Sequence, residues 1–459
     1  MATYKVNNKD GTTTTESFKF WKLSHGQSCF SADVHKSYLE NNMVVVHPET
    51  GKSQGECFTD DEREYDIFYV CYGNKRIEVL GMFTKQKSHE ILSGSHKGWH
   101  KRLFKTIATA ENPEAYEHEL NKIWTPRHNS TFVRIPGDAK KEFEEKILEP
   151  CFGITLKDVY RERNRIMNEI ERVNKIQRLL QVNKNLILTG APGVGKTYTA
   201  RQVAAKMIGV EIEKLRQGHE QYEFVQFHPN YDYSDFVEGI KPELTEGGSI
   251  LLKCRDGIFK KFCKKAKDAP EKKFVFVIDE INRADLSRVF GELFFGLESD
   301  YRGDKIETQY SYLLENKEPF VIPPNVYLIG TMNDIDRSVE SMDFALRRRF
   351  AWKEITATDS EHIIDKAEIA DDWKEHAKIH MRNLNNVIAC HDSLGVAYQI
   401  GGAYFKKLEK YNKMEETSAF DSLWINHIEM LLYEYLRGIP KERKEKLLTK
   451  MKTAFDTLS

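Results

Sequence analysis

The sequence predicts a β-rich amino-terminal domain followed by a parallel α/β module that closes with helices. Three observations carry this. The stretch Gly190-Ala191-Pro192-Gly193-Val194-Gly195-Lys196-Thr197 lies between an apolar run, Leu186-Ile187-Leu188, and a helix-like segment over residues 198–207. Two later apolar runs, residues 274–278 and 326–330, each lead into polar residues, as buried parallel strands do when they deliver side chains at their carboxyl ends. Before residue 135, short runs broken by Gly, Asn and His read as strands.

The elements follow in order. Phe18-Lys19-Phe20-Trp21-Lys22-Leu23 and Met43-Val44-Val45-Val46 read as early strands. Ile67-Phe68-Tyr69-Val70-Cys71-Tyr72 turns at Gly73-Asn74 and returns through Ile77-Glu78-Val79-Leu80-Gly81-Met82-Phe83, a hairpin. These belong to a domain spanning 1–135. Over 136–180 the pattern becomes helical, with Ile154, Leu156, Val159, Ile166, Ile170, Val173, Ile176, Leu179 and Leu180 at intervals of three to four, a charged linker helix leading into the next module. Strands and helices alternate over 181–356, and 357–459 reads mainly as helices, forming a lid domain.

Composition narrows the class. With 40% hydrophobic and 30% charged residues the chain has a globular make-up, and no apolar run approaches the roughly 18–20 residues that span a bilayer. The polar, Thr-rich start has no apolar core of a signal peptide, so a cytoplasmic protein without a membrane partner is expected. A net charge of -1 argues against indiscriminate coating of nucleic acid; any such contact must come from a local patch or an assembled ring. The seven cysteines are scattered without a C-x-x-C pair, which argues against zinc or disulfide frameworks.

The glycine-rich stretch is a complete G-x-x-x-x-G-K-[ST] pattern in strand–loop–helix context. Backbone amides of Gly190, Pro192's neighbour Gly193, Val194 and Gly195 would curl around phosphate, aided by the helix N-terminus. Lys196 would reach the β- and γ-phosphates, Thr197 would place its hydroxyl on Mg²⁺, and Pro192 and Tyr198 complete the expected nucleotide-binding set. Asp279, at the end of Phe274-Val275-Phe276-Val277-Ile278-Asp279, would join Thr197 on the metal, and Glu280 would polarise the attacking water.

Two further segments resemble parts of AAA+ ATPases. Val326-Tyr327-Leu328-Ile329-Gly330-Thr331-Met332-Asn333 is similar to the strand that lies between the phosphate-loop strand and the Asp-Glu strand, which gives Asn333 the γ-phosphate or the lytic water. Met342-Asp343-Phe344-Ala345-Leu346-Arg347-Arg348-Arg349-Phe350 resembles an arginine-finger segment. One arginine from Arg347 to Arg349, with Arg348 and Arg349 as the catalytic candidates, would act on a neighbour's γ-phosphate. The finer resemblance is to the McrB family. It rests on Val225-Gln226-Phe227-His228-Pro229-Asn230-Tyr231-Asp232-Tyr233-Ser234-Asp235-Phe236-Val237-Glu238-Gly239, on Arg255-Asp256-Gly257-Ile258-Phe259, on Asp279-Glu280-Ile281-Asn282-Arg283-Ala284, and on Met332-Asn333-Asp334-Ile335-Asp336-Arg337-Ser338. The resemblance implies a hexameric ring of identical chains that hydrolyses GTP with Mg²⁺. It also implies modified double-stranded DNA as the target and a separate McrC-like PD-(D/E)xK nuclease subunit. No nuclease constellation is apparent in this sequence. Asn333-Asp334-Ile335-Asp336 lacks the Lys of the guanine-reading Asn-Lys-x-Asp signature, so GTP rests on the resemblance and ATP stays open.

The first domain loosely resembles PUA-like domains of the EVE or YTH kind, small barrels that take a flipped modified base into an aromatic pocket. Trp21, Tyr69, Trp99 and Trp124 are the aromatic candidates, although a core place competes for each. In Ser95-His96-Lys97-Gly98-Trp99-His100-Lys101-Arg102-Leu103-Phe104-Lys105, a basic loop or helix face, Lys97, Lys101, Arg102 and Lys105 would hold phosphates while Trp99 stacks. Arg127-His128-Asn129-Ser130 forms a second, weaker patch. Two rival functions share the motor: a MoxR-like ATPase remodelling a protein client, and a nucleotide-switched DNA binder with little turnover.

Overall fold

The computed structural model describes the chain outside residues 1–3, 8–12, 17, 48, 51–57, 60–63, 74–75, 85–89, 92–97, 117–123, 125–130, 217, 245–249, 314–318, 334, 336–343 and 459. It divides into two compact units, residues 1–168 and 169–459. The boundary falls within one long helix, Leu156–Asn183.

In the first unit, β1 (Tyr4–Asn7) and β2 (Thr13–Glu16) form a short antiparallel ribbon. The strands β3 (Phe20–His25), β4 (Met43–Val46), β5 (Ile67–Tyr72), β6 (Arg76–Phe83), β7 (Glu90–Ile91), β8 (His100–Thr109) and β9 (Phe132–Ile135) make one sheet. Its order is β4-β8-β6-β5-β3-β9, with β7 also paired to β8. The predicted hairpin is β5–β6, with Ile67 opposite Met82 and a bulge between Val70 and Cys71. Both faces of the sheet are buried, so alternate residues feed two cores. Phe20, Ile67 and Tyr69 meet Phe143 and Ile147 of the following helical segment. Trp21, Phe68 and Phe83 meet Phe104 and Phe132 instead.

That second core consists largely of residues from the sheet itself, and this requires curl. Strands β9 and β6 stand three positions apart, about 14 Å in a flat sheet. Yet the rings of Phe132 and Phe83 lie 6.1 Å apart. Among the described residues the strand path does not close on itself, so the expected small barrel is realised as a strongly curled, mixed sheet.

The second unit is built on five parallel strands: β10 (Asn185–Thr189), β11 (Tyr222–Gln226), β14 (Phe274–Asp279), β15 (Val326–Thr331) and β16 (Ala351–Glu354). Their order is β11-β14-β15-β10-β16. A separate antiparallel ribbon pairs β12 (Glu238–Leu244) with β13 (Ile250–Asp256). The strands β10 and β15 are buried along their whole length, which explains their unbroken apolar sequences. Each large aliphatic side chain buried there contributes roughly 1.5–3 kcal/mol. Beyond β16 the chain is helical. The helices Asp371–Ala389 and Lys441–Asp456 contribute Met381, Leu384, Met451 and Phe455 to a third core. Among the described residues no helix is long and apolar enough to cross a membrane.

Candidate nucleotide site and a separate aromatic corner

The phosphate loop occupies the turn between β10 and the helix Lys196–Ile208. Gly190, Gly193 and Gly195 have φ of 139°, 78° and 84°, a region that side chains disfavour. A non-glycine residue at any of them would strain the turn. The Lys196 side chain folds back over the loop, its Nζ donating to the carbonyl oxygens of Gly190 at 2.9 Å and Ala191 at 3.0 Å.

Strand order brings the remaining groups to this loop. As expected, β15 lies between β10 and β14, with Leu188 opposite Thr331 and Ile278 opposite Gly330. Lys196 Nζ donates to Asn333 Oδ1 at 2.6 Å, and Asn333 Nδ2 donates to Glu280 Oε1 at 2.6 Å. Thr197 Oγ1 donates to Asp279 Oδ1 at 2.7 Å. Glu280 holds a left-handed backbone, φ 52°, which is uncommon for a residue with a side chain. The chain turns at once after β14, so the adjacent carboxylates of Asp279 and Glu280 engage different partners.

Sequence reasoning missed Thr331. Its buried hydroxyl donates to Asp279 Oδ1 at 2.6 Å and accepts from the Glu280 backbone N–H at 3.2 Å. One hydroxyl therefore fixes both carboxylate-bearing residues. A hydroxyl two residues before Asn333, at the end of a buried strand, was the available signal. The near-isosteric Thr331→Val removes both bonds while keeping the volume. Hydrogen bonds to charged groups are worth roughly 1.5–3 kcal/mol, so nucleotide turnover should fall about tenfold or more, with Thr331→Ser close to wild type. Unchanged turnover of Thr331→Val in a steady-state hydrolysis assay would remove this positioning role.

A second feature without a local sequence signal lies behind the loop helix. Arg172 donates to Thr199 Oγ1 at 3.3 Å and to Gln202 Oε1 at 3.3 Å, and it lies 3.2 Å from His362 Nε2. Burial, and next the Arg172 charge, push the His362 imidazole down to about 4. Lys366 bonds Glu169 at 2.7 Å beside it, tying the start of the lid to the same helix.

The three arginines separate by environment. Arg349, 11% exposed, pairs with Glu298 at 3.0 Å. Arg348 is 69% exposed and reaches the same carboxylate at 3.4 Å. Arg347 lies with its guanidinium 5.0 Å from the Trp352 ring centroid. Met342 and Asp343 of that motif fall outside the described residues.

In the first unit, the basic stretch from His100 onward is the strand β8, not a loop or helix face. Strand alternation then sends Arg102 and Phe104 inward and leaves Lys105 exposed and Lys101 half-buried. Arg102 is buried; it donates to the Phe58 carbonyl at 2.8 Å and lies over the Phe83 ring. Trp21 is buried too, stacked on Phe132 at 4.4 Å with its indole N–H donating to Asp66 at 2.8 Å. Both thus differ from the expected DNA contacts: each is a core residue as the protein stands, turned away from solvent. Tyr69 and Trp124 are also core residues. Trp99 is half-buried, edge-on to Phe30 at 5.0 Å and to His47 at 5.1 Å. Lys97 and the patch 127–130 lie outside the described residues.

Residues 185–350 match the model of the AAA domain, dynein-related subfamily. The chain is 37% identical over 284 residues to the type IV methyl-directed restriction enzyme EcoKMcrB subunit of Escherichia coli strain K12. The phosphate-loop module is a McrB-like AAA+ domain. That alignment takes in 60% of this chain and 58% of the relative, so the chain spans less than two thirds of the relative's length. A second similarity, 27% identity over 239 residues, is to the type II restriction enzyme BsuMI component YdiS of Bacillus subtilis strain 168, covering 46% of this chain and 68% of that protein. A crystal structure of NtrX from Brucella abortus aligns over 64% of this chain and 71% of its own at 10% identity, with a TM-score of 0.28. The AAA+ module is thus an NTPase module by family, and its parallel sheet with a helical lid agrees with the fold read from the sequence.

Proposed function

We propose that this protein is a nucleotide-hydrolysing motor, acting on GTP in preference to ATP, that reads modified double-stranded DNA and drives a separate McrC-like nuclease. Identical chains form its ring, a hexamer in this reading. The observation that supports hydrolysis most strongly is the chain of contacts Lys196–Asn333–Glu280 beside the Thr197–Asp279 pair. The paired oxygens of Thr197 and Asp279 suit a hard cation, so these residues would hold Mg²⁺, which would offset charge between the phosphates. Amides of Gly193, Val194 and Gly195 bind phosphate, with Gly190, Pro192 and Tyr198 shaping the site. Lys196 neutralises the β- and γ-oxygens, Glu280 accepts a proton from the attacking water, and Asn333 orients the terminal phosphate. Arg348 and Arg349, both paired with Glu298, are the arginines of this segment that would act on the neighbouring chain's nucleotide.

The restriction role draws on the 37% identical methyl-directed relative. DNA reading by residues 1–135 draws on Trp99, half-buried just before β8, and on Lys101 and Lys105 of that strand, which stand outside the core. A second reading, remodelling of a protein client, is favoured by the ribbon β12–β13. One of its faces carries Ile240, Leu244, Ile250 and Leu252, all exposed. Binding of the full chain to matched duplexes containing cytosine, 5-methylcytosine, 5-hydroxymethylcytosine, adenine or N6-methyladenine separates the two. Under the restriction reading one modified duplex binds at least tenfold more tightly, with salt-dependent affinity, and Trp99→Ala removes the preference. Equal, feeble binding to all would favour the protein client.

A further inference from the structure

The lid meets the phosphate loop with backbone hydrogen bonds as well as with the side chains of Ile363 and Tyr404. Gly401 N–H donates to the Pro192 carbonyl at 2.9 Å, and Ala403 N–H donates to the Gly193 carbonyl at 3.0 Å. These two carbonyls share peptide planes with the Gly193 and Val194 amides, the groups assigned to phosphate. A peptide whose carbonyl accepts a hydrogen bond is polarised and becomes a stronger N–H donor. The approach is close enough to demand glycine on the lid: a Cβ on Gly401 would collide with the Gly193 carbonyl carbon and oxygen and with the Val194 nitrogen. On the loop side, a Cβ on Gly193 would lie 2.6 Å from the Tyr404 ring. The lid segment is itself pinned, since Gly402 N–H donates to Ser360 Oγ at 2.8 Å and Ser360 Oγ donates to the Ala357 carbonyl at 2.5 Å.

We propose that the lid segment Gly401-Gly402-Ala403 is a positioning part of the phosphate site: its two backbone hydrogen bonds brace and polarise the loop amides, so that grip on a nucleoside triphosphate depends on lid docking. This rests on the nucleotide reading and extends it to residues far from the loop in sequence. Linkage makes the coupling reciprocal, and bound nucleotide in turn holds the lid on the loop.

The test uses the full chain, Mg²⁺, and fluorescent N-methylanthraniloyl-GTP and -ATP. Gly401→Ala, whose added methyl meets backbone that cannot move aside, weakens binding at least tenfold. In wild type, nucleotide protects the lid from limited proteolysis; in Gly401→Ala that protection is lost. Should Gly401→Ala fail to fold by thermal unfolding, Ser360→Ala, which frees Gly402 without a clash, decides the matter: it weakens binding about threefold. Wild-type binding with unchanged affinity in whichever of these variants folds overturns the brace alone. No binding of either nucleotide by wild type overturns the nucleotide reading and the brace with it.

Discussion

Glu280→Gln lowers nucleotide hydrolysis by about 100-fold or more while leaving nucleotide bound, because a carboxamide cannot accept the proton of the attacking water and general-base catalysis is typically worth 10²–10⁴. The substitution is close to isosteric, and Gln can still accept a hydrogen bond from Asn333 through its Oε1, the contact made by Glu280 at 2.6 Å. Loss of turnover would therefore report chemistry rather than collapse of the site. Steady-state phosphate release together with filter-bound nucleotide checks both halves, and full turnover by the variant would remove Glu280 from the mechanism.

Lys196→Ala acts one step earlier. The ammonium now donates to two loop carbonyls and to Asn333, and it is the cation placed at the start of the loop helix. Its removal withdraws the charge that offsets the β- and γ-phosphates, so affinity for the triphosphate falls by about 100-fold or more. The loop retains its glycine-determined path, and the chain remains folded. Equilibrium binding of a labelled triphosphate measures this, and affinity within a few fold of wild type would contradict the assigned role. The two variants are distinguishable: one binds without hydrolysing, the other does not bind.

The motor was legible in the sequence because its parts are local. Fully buried parallel strands such as β10 and β15 have no solvent face, so they read as unbroken apolar runs, and the phosphate loop is contiguous. The hairpin β5–β6 was legible for the same reason, with its turn marked by Gly73. What was not legible depends on contacts distant in sequence. Nothing near Gly401 signals that Pro192 and Gly193 lie against it. Arg172 and His362 come together from helices on either side of the sheet strands in sequence. In the first unit, dense charge hid the period of two in β8, so Arg102 read as one of a cluster of solvent cations. Its guanidinium is instead used on the Phe58 carbonyl, which leaves Lys101 and Lys105 as the basic residues of that strand outside the core. Trp21 illustrates the ambiguity of large aromatics: an indole suits a base pocket and a core equally, and Phe132 and Asp66 decide for the core.

The central claim is that Lys196, Thr197, Asp279, Glu280 and Asn333 form a working triphosphate-hydrolysing centre. Its most direct test is phosphate release by the purified wild-type chain with Mg²⁺, given GTP and ATP in parallel and beside Glu280→Gln. Turnover of GTP above ATP, abolished in the variant, is the predicted result. Equal release by wild type and variant, or none from either nucleotide when the chain binds both, would contradict it.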